Sequence, residues 1–475
     1  MSASITHAAR CGTRSFQRIT AGFLSTPGLP FAALLAADRI EQVFAKHSGL
    51  FGQSGIYDTP LVVWSWLSQV LRDGKEASCQ AAVARVVTHC QQEGRAAPTP
   101  DTGDYCRARG KLPTDALQEL SGAVARELES AAQPQWLWKE RHAKLIDAFT
   151  FTMPDTRSNQ ARYPHPRTQT PGVGLPIARV LLVLSLATAC ILDAAIGPYS
   201  GKGTGENALL RSLLSTLSAG DVAVFDRNFA SYVMIALLQA QGVDVCVRMH
   251  QTRRVDFRRG NRLGSKDHVV TWTRPARPAW MTPEDFAQIP ETLEMRELAY
   301  RVVERGRRTK VVTIATTLLD AKVYPKDDVA QLYGFRWDSE VDIRSVKSNL
   351  NVAHVRCKSP EMVHRELWMT MLAYNLIRTT AASAAALHDK LPRQISFTGT
   401  CQYVLSAWMS LFDGARSWED RLSRCRVLLA HIAHCEVRNR PGRLEPRVLK
   451  RRRHRYPLMT KPRSVLRKEL SKVCT

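Results

Sequence analysis

Residues 333–347 read YGFRWDSEVDIRSVK, and the assignment of the whole chain turns on this stretch. Its polar residues Tyr333, Arg336, Glu340 and Lys347 are spaced Tyr-x2-Arg-x3-Glu-x6-Lys. On a helix, residues three, four and seven apart share a face. The spacing therefore predicts a stripe on which one carboxylate is flanked by a phenol, a guanidinium and an ammonium. Such a stripe suits metal-assisted chemistry on a phosphate polymer, provided that further carboxylates join it from elsewhere in the chain.

The stretch falls inside a predicted helix running from Pro325 to about Asn349, with Ile343 and Val346 as its packing residues. Pro360 opens a second long helix, over 361–388, and two more helices are expected after it. Before the first helix, residues 250–325 break the preceding pattern. Arg253, Arg254, Arg258, Arg259, Arg262 and Lys266 crowd its start, and the runs 269–272, 293–303 and 310–318 look like strands. This is read as a mainly β insertion. Basic residues with Phe257, Trp272, Trp280, Phe286 and Tyr300 could grip a DNA backbone and stack on an unpaired base. A solvated rim over a small core fits them equally well.

Further upstream, residues 143–153 (AKLIDAFTFTM) read as a strand carrying Asp147, and 178–187 and 189–196 as two more. Residues 154–176, with five prolines, read as a polar loop. Thr204 can cap a helix reaching Leu217. Val222 to Asp226 reads as a short buried strand ending on a carboxylate, followed by a helix over 229–240 and a strand over 243–249. Three strands, helix, strand, helix, strand predict an α/β domain with a mixed sheet. Asp226 then lies at the carboxyl end of its strand, where open α/β sheets place ligand sites.

Residues 1–135 read as helical, with 93–110 as a loop. The segments 60–71 and 77–87 form either a DNA-binding helix-turn-helix or an ordinary helical hairpin, and the hairpin is preferred.

Two Asp on strands and a Glu on a later helix are what two-metal phosphoryl transfer needs, because carboxylate oxygens hold magnesium or manganese. The candidates are Asp147, Asp226 and Glu340. Asp155 and Asp193 compete with Asp147. Asp338 and Asp342 flank Glu340 but face other sides of the helix.

Composition agrees with a polyanionic partner. The 475 residues carry 67 Lys and Arg against 43 Asp and Glu, a net charge of +24, with 44% hydrophobic residues. This favours nucleic acid over an anionic membrane surface and excludes a disordered chain. Eleven scattered cysteines without a Cys-x-x-Cys pair suit reduced thiols in a cytosolic protein. His431, His434 and Cys435 raise a zinc site, but no second ligand cluster supports it. The longest apolar run, 180–192, is shorter than a membrane helix needs. Nine Lys or Arg between 438 and 455 form a basic tail suited to DNA phosphates.

The segments LIDAFTFTMPDT, VAVFDRNF and YGFRWDSEVDIRSVKSNL resemble, in order, the three catalytic blocks of bacterial insertion-sequence transposases with a DDE centre. Tyr333, Arg336, Glu340 and Lys347 match that family's YREK signature. The resemblance covers about residues 45–385. It implies a ribonuclease H-like catalytic domain (136–249 and 326–390) interrupted by the β insertion (250–325). A helical N-terminal region that binds DNA ends (1–135) and a helical, basic C-terminal region (391–475) flank it. It implies metal-dependent cleavage at the terminal inverted repeats and strand transfer into target DNA. Asp147, Asp226 and Glu340 would be ligands of two Mg2+ or Mn2+ ions, and Tyr333, Arg336 and Lys347 would hold phosphates. The partner would be double-stranded DNA, the end complex a homodimer, and the setting the bacterial cytoplasm and nucleoid, with no membrane. One position departs from the pattern: Ala148 stands where the first block commonly has Gly. Two rival readings remain: a nuclease that cuts without joining, and an inactive DNA-binding protein derived from a transposase.

Overall fold

The computed structural model describes residues 37–47, 51, 55–92, 94, 96–166, 168–170, 172–201, 203–250, 252–302, 311–407, 417–437 and 458–473. The basic tail at 438–455 lies outside them.

The chain opens with α1 (Ala37–His47), α2 (Thr59–Val70), α3 (Cys79–Gln92), α4 (Gly103–Lys111) and α5 (Thr114–Ser130). Asp58 caps α2 by accepting from the Leu61 amide, and Pro60 occupies its first turn. Every residue of α2 from Thr59 to Gln69 is buried, so it is a core helix with no face left to enter a DNA groove. The expected loop at 93–110 contains α4, because Tyr105 and Ala108 find a buried seat.

Strands β1 (Ala143–Thr152), β2 (Ile177–Ser185), β3 (Ile191–Pro198), β4 (Val222–Phe225) and β5 (Asp244–Arg248) form the central sheet in the order β3-β2-β1-β4-β5. β1, β2 and β3 pair antiparallel, while β1, β4 and β5 are parallel. This is a mixed α/β arrangement, as the strand and helix order predicts. Their apolar side chains, Val180 to Leu184 and Val222 to Phe225 among them, are buried. Each Val, Leu, Ile or Phe so buried stabilises the fold by about 1.5–3 kcal/mol.

Two local expectations fail between these strands. The polar loop after β1 contains a short helix, α6 (Arg157–Arg162), capped by Thr156. The helix expected from Thr204 to Leu217 is only α7 (Glu206–Arg211) followed by a 3-10 turn at Leu214–Thr216. The Thr204 hydroxyl donates back to the Gly201 carbonyl at 3.0 Å instead of capping. After β4 come a 3-10 turn (Arg227–Phe229) and α8 (Tyr232–Ala240).

The β-rich segment is continuous with the central sheet. β6 (Asn261–Gly264), β7 (Asp267–Thr273), β8 (Thr292–Arg301) and β9 (Val311–Thr316) extend it in the order β5-β9-β8-β7-β6, with α9 (Pro283–Ala287) between β7 and β8. β9 adds antiparallel to β5. Fully buried Arg296 holds the segment together: its Nε and Nη2 donate to the two oxygens of Asp267 at 2.8 and 2.6 Å.

The predicted helix from Pro325 to Asn349 is three pieces. α10 (Lys326–Gly334) and α11 (Arg336–Arg344) meet at Phe335, and a π-helical turn (Ser345–Asn349) follows. α12 (Pro360–Leu387), capped by Ser359, is largely buried and packs on α5. α13 (Phe397–Ala407), α14 (Trp418–Ala433) and α15 (Arg463–Val473) complete the described chain. No disulfide links the described cysteines. No helix of the described residues is long and apolar enough to cross a membrane.

Candidate active site

Parallel pairing places the two strand carboxylates side by side. Ile146 on β1 pairs with Phe225 on β4, so the next residues along are Asp147 and Asp226. α11 packs on β1 and brings Arg336, Ser339 and Glu340 to the same place. Ser339 donates its hydroxyl to Asp147 Oδ2 at 2.7 Å, and the Ala148 amide donates to Asp147 Oδ1 at 2.8 Å. Arg336 Nη2 donates to Glu340 Oε1 at 2.7 Å, and its Nη1 lies 3.5 Å from Asp147 Oδ2.

Asp226 is half-buried, and its negative charge acts on both Arg336 and Tyr333. The Arg336 guanidinium is the shared counter-charge of all three acids. Burial opposes its charge, but Glu340 and then Tyr333, Asp147 and Asp226 outweigh burial and raise its pKa.

Burial also raises the Asp147 carboxyl above the usual Asp range. The Ser339 and Ala148 hydrogen bonds and the Arg336 charge offset part of that shift, and Glu340 adds to it. Tyr333 is only 7% exposed. Its phenol is raised mainly by burial, with Asp226 adding to the shift.

Lys347 sits on the π-helical turn, and its Nζ lies 5.7 Å from the centre of the Phe149 ring. Phe149 is two residues beyond Asp147 and so on the same face of β1. A π-helical turn changes the helical register. Lys347 therefore does not continue the stripe of α11 but turns onto the strand beside Asp147.

Three hard oxygen donors of this kind suit a divalent cation. The positively charged Arg336 between Asp147 and Glu340 marks where positive charge is held. Among the described residues, no three of His, Cys, Asp and Glu are already drawn close enough to hold a metal ion.

Three of the four competing carboxylates are otherwise engaged. Asp155 pairs with His165 and Gln160, at 2.9 and 2.6 Å. Asp193, on β3, accepts from Thr216 at 3.0 Å. Fully buried Asp342 is clamped by Arg378 Nη2 at 2.7 Å and Arg393 Nη1 at 2.9 Å. In the sequence Asp342 reads only as a rival to Glu340. Two arginines separated from it by 36 and 51 residues left no local signal.

Ala148 has no left-handed backbone, so this strand position tolerates a Cβ. In the zinc candidate, His431 stacks on Tyr403 and the Cys435 thiol donates to the His431 carbonyl. In the β segment, Trp272 is buried under Arg253, whose guanidinium lies 3.6 Å from its ring centre. It is a core residue, whereas Trp280 is 46% exposed with Arg211 at 3.9 Å.

The chain is 26% identical, over 366 residues, to the transposase InsG for insertion sequence element IS4 of Escherichia coli (strain K12). The match spans 75% of this chain and 78% of that protein. Among solved structures, the piggyBac transposase synaptic complex with hairpin DNA is similar at a TM-score of 0.43 and 12% identity. It covers 88% of this chain and 87% of that one. Residues 138–376, half of the chain and every carboxylate discussed above, match the family described as the transposase DDE domain. The chain therefore belongs to the DDE transposase family.

Proposed function

We propose that this transposase binds the terminal inverted repeats of its own insertion sequence, cuts a strand at each end and joins the freed 3′ ends to target DNA. What supports the reading is that Arg336 contacts both Asp147 and Glu340 and feels the charge of Asp226, which follows the strand paired with that of Asp147.

DDE chemistry depends on a divalent metal ion. Asp147, Asp226 and Glu340 would hold it, as Mg2+ or Mn2+ and as a pair of ions. Bound there, the metal would supply activation of the attacking oxygen and neutralisation of the leaving one. Ser339 orients Asp147 and Ala148 anchors its second oxygen. Arg336 is suited to a bidentate grip on a phosphate beside the scissile bond, and Lys347 to a point-charge contact. Buried Tyr333, near enough to Arg336 and Asp226 to feel both charges, would hold a phosphate beside them. Two ends joined in one event imply a homodimer acting on bacterial chromosomal DNA.

A strand-transfer assay with a pre-cut end tests the reading. Joined product is expected; cutting without joining would replace it by a nuclease.

A further inference from the structure

A second basic site lies where the N-terminal helices meet the chain that follows the catalytic helix. A cavity of about 690 Å³ is walled by the ends of α2 and α4 and by residues 350–358. Four permanent cations line it, Arg72, Arg109, Arg356 and Lys358, against one carboxylate, Glu366. Glu366 is already engaged: it accepts the backbone amides of Arg356 and Cys357, at 3.1 Å each to Oε2. Two donors in this wall are buried and have no partner among the described residues, Arg109 Nε and Asn351 Nδ2. Arg109 is held in place by Gln69 at 3.1 Å and by the rings of Trp66 and Tyr105. Burial, with Arg85 nearby, pushes the Arg72 guanidinium down to about 10.

An unpartnered buried donor costs about 1–3 kcal/mol, and neighbouring cations repel. Both penalties are relieved by a bound oxyanion. The place of the cavity narrows the choice. The π-helical turn that carries Lys347 runs directly into its wall at Leu350 and Asn351. His354, in the same wall, hydrogen-bonds to Thr152 at 2.7 Å. Thr152 lies five residues past Asp147, about 17 Å along β1, or about five base-pair steps of duplex.

We propose that this cavity binds a backbone phosphate of the DNA strand that passes through the catalytic centre, held by Arg72, Arg109, Arg356 and Lys358. The proposal rests on the transposase reading for its source of phosphate. The N-terminal helices and the catalytic helix thereby grip one strand from two sides.

The test uses the full chain. Exposed Arg356 and Lys358 are replaced together (Arg356→Gln, Lys358→Gln), and duplex binding is followed by fluorescence anisotropy over a series of KCl concentrations. Loss of these contacts lowers the magnitude of the slope of log K against log salt by about one to two. In parallel, alkylation of Cys79 and Cys106, which line the cavity, is read by peptide mass, with Cys435 as internal control. Duplex DNA slows alkylation of the two cavity thiols in the wild type and not in the double variant. An unchanged slope, or equal alkylation with and without DNA, overturns the site. Protection by inorganic pyrophosphate at lower concentration than by DNA overturns the strand as ligand in favour of a free phosphate anion. Thiol protection in a protein that joins no DNA would sink the transposase reading and leave the site standing.

Discussion

Arg336 donates Nη2 to Glu340 at 2.7 Å, one turn along α11. The same guanidinium reaches Asp147 at 3.5 Å. The residue that the signature offers to DNA phosphate thus sits between two metal-binding candidates.

Arg336 and a divalent cation therefore compete for the same oxygens. Arg336→Ala is expected to tighten Ca2+ or Mn2+ binding to the DNA-free protein by about tenfold, in line with a charged hydrogen bond of about 1.5–3 kcal/mol. Assembly of the end complex should weaken in the same variant. Isothermal calorimetry reads the first effect and a gel shift the second; unchanged metal affinity would show that the pair is no barrier.

Asp342 lies two residues from Glu340 and fixes α11 to the body of the protein. Arg378 comes from α12 and Arg393 from the turn after it, and Arg393 also donates to the carbonyls of Leu186 and Ser185, at 2.5 and 2.7 Å. Asp342→Ala leaves two largely buried guanidinium groups without their carboxylate. It should cost about 3–5 kcal/mol in urea unfolding and depress cleavage at protein concentrations where the fold survives. A loss under 1 kcal/mol would refute the clamp.

Much of this was legible in the chain. β1, β4, β5 and α12 fall close to their predicted ranges, because strand runs of Val, Ile, Leu and Phe and a Ser-Pro helix start are local signals. Asp226 at the end of β4 followed from the same pattern. The kink at Phe335 and the π-helical turn under Lys347 were not legible, since the 333–349 sequence carries no proline and its only glycine is Gly334. Tyr333, Ile343 and Val346 are buried in the core beside these breaks, a tertiary contact with no local signature. The joining of β9 to β5 also needed coordinates, because strand order depends on partners distant in sequence.

Acid stability should depend on Glu129, which ties α5 to β1. Burial raises its pKa, but the His142 hydrogen bond and the Lys144 charge and hydrogen bond outweigh burial and hold it down to about 2. A depressed carboxylate stabilises the fold above its ordinary value of 4.5, and this contribution is lost as pH falls towards about 2. The shift corresponds to on the order of 3 kcal/mol. Between pH 5 and pH 3, Glu129→Gln should flatten the fall in urea stability seen in the wild type; parallel curves would count against the network.

Glu340→Gln tests the central claim most directly. The change keeps the size of the side chain and its hydrogen bond to Arg336 but removes the negative charge that a metal ligand needs. Metal-dependent cleavage of a labelled terminal-repeat duplex is measured beside its binding. The account predicts cleavage lost by at least about a thousandfold, roughly 4 kcal/mol of barrier, with binding within about threefold of wild type. Cleavage retained at a wild-type rate would contradict it.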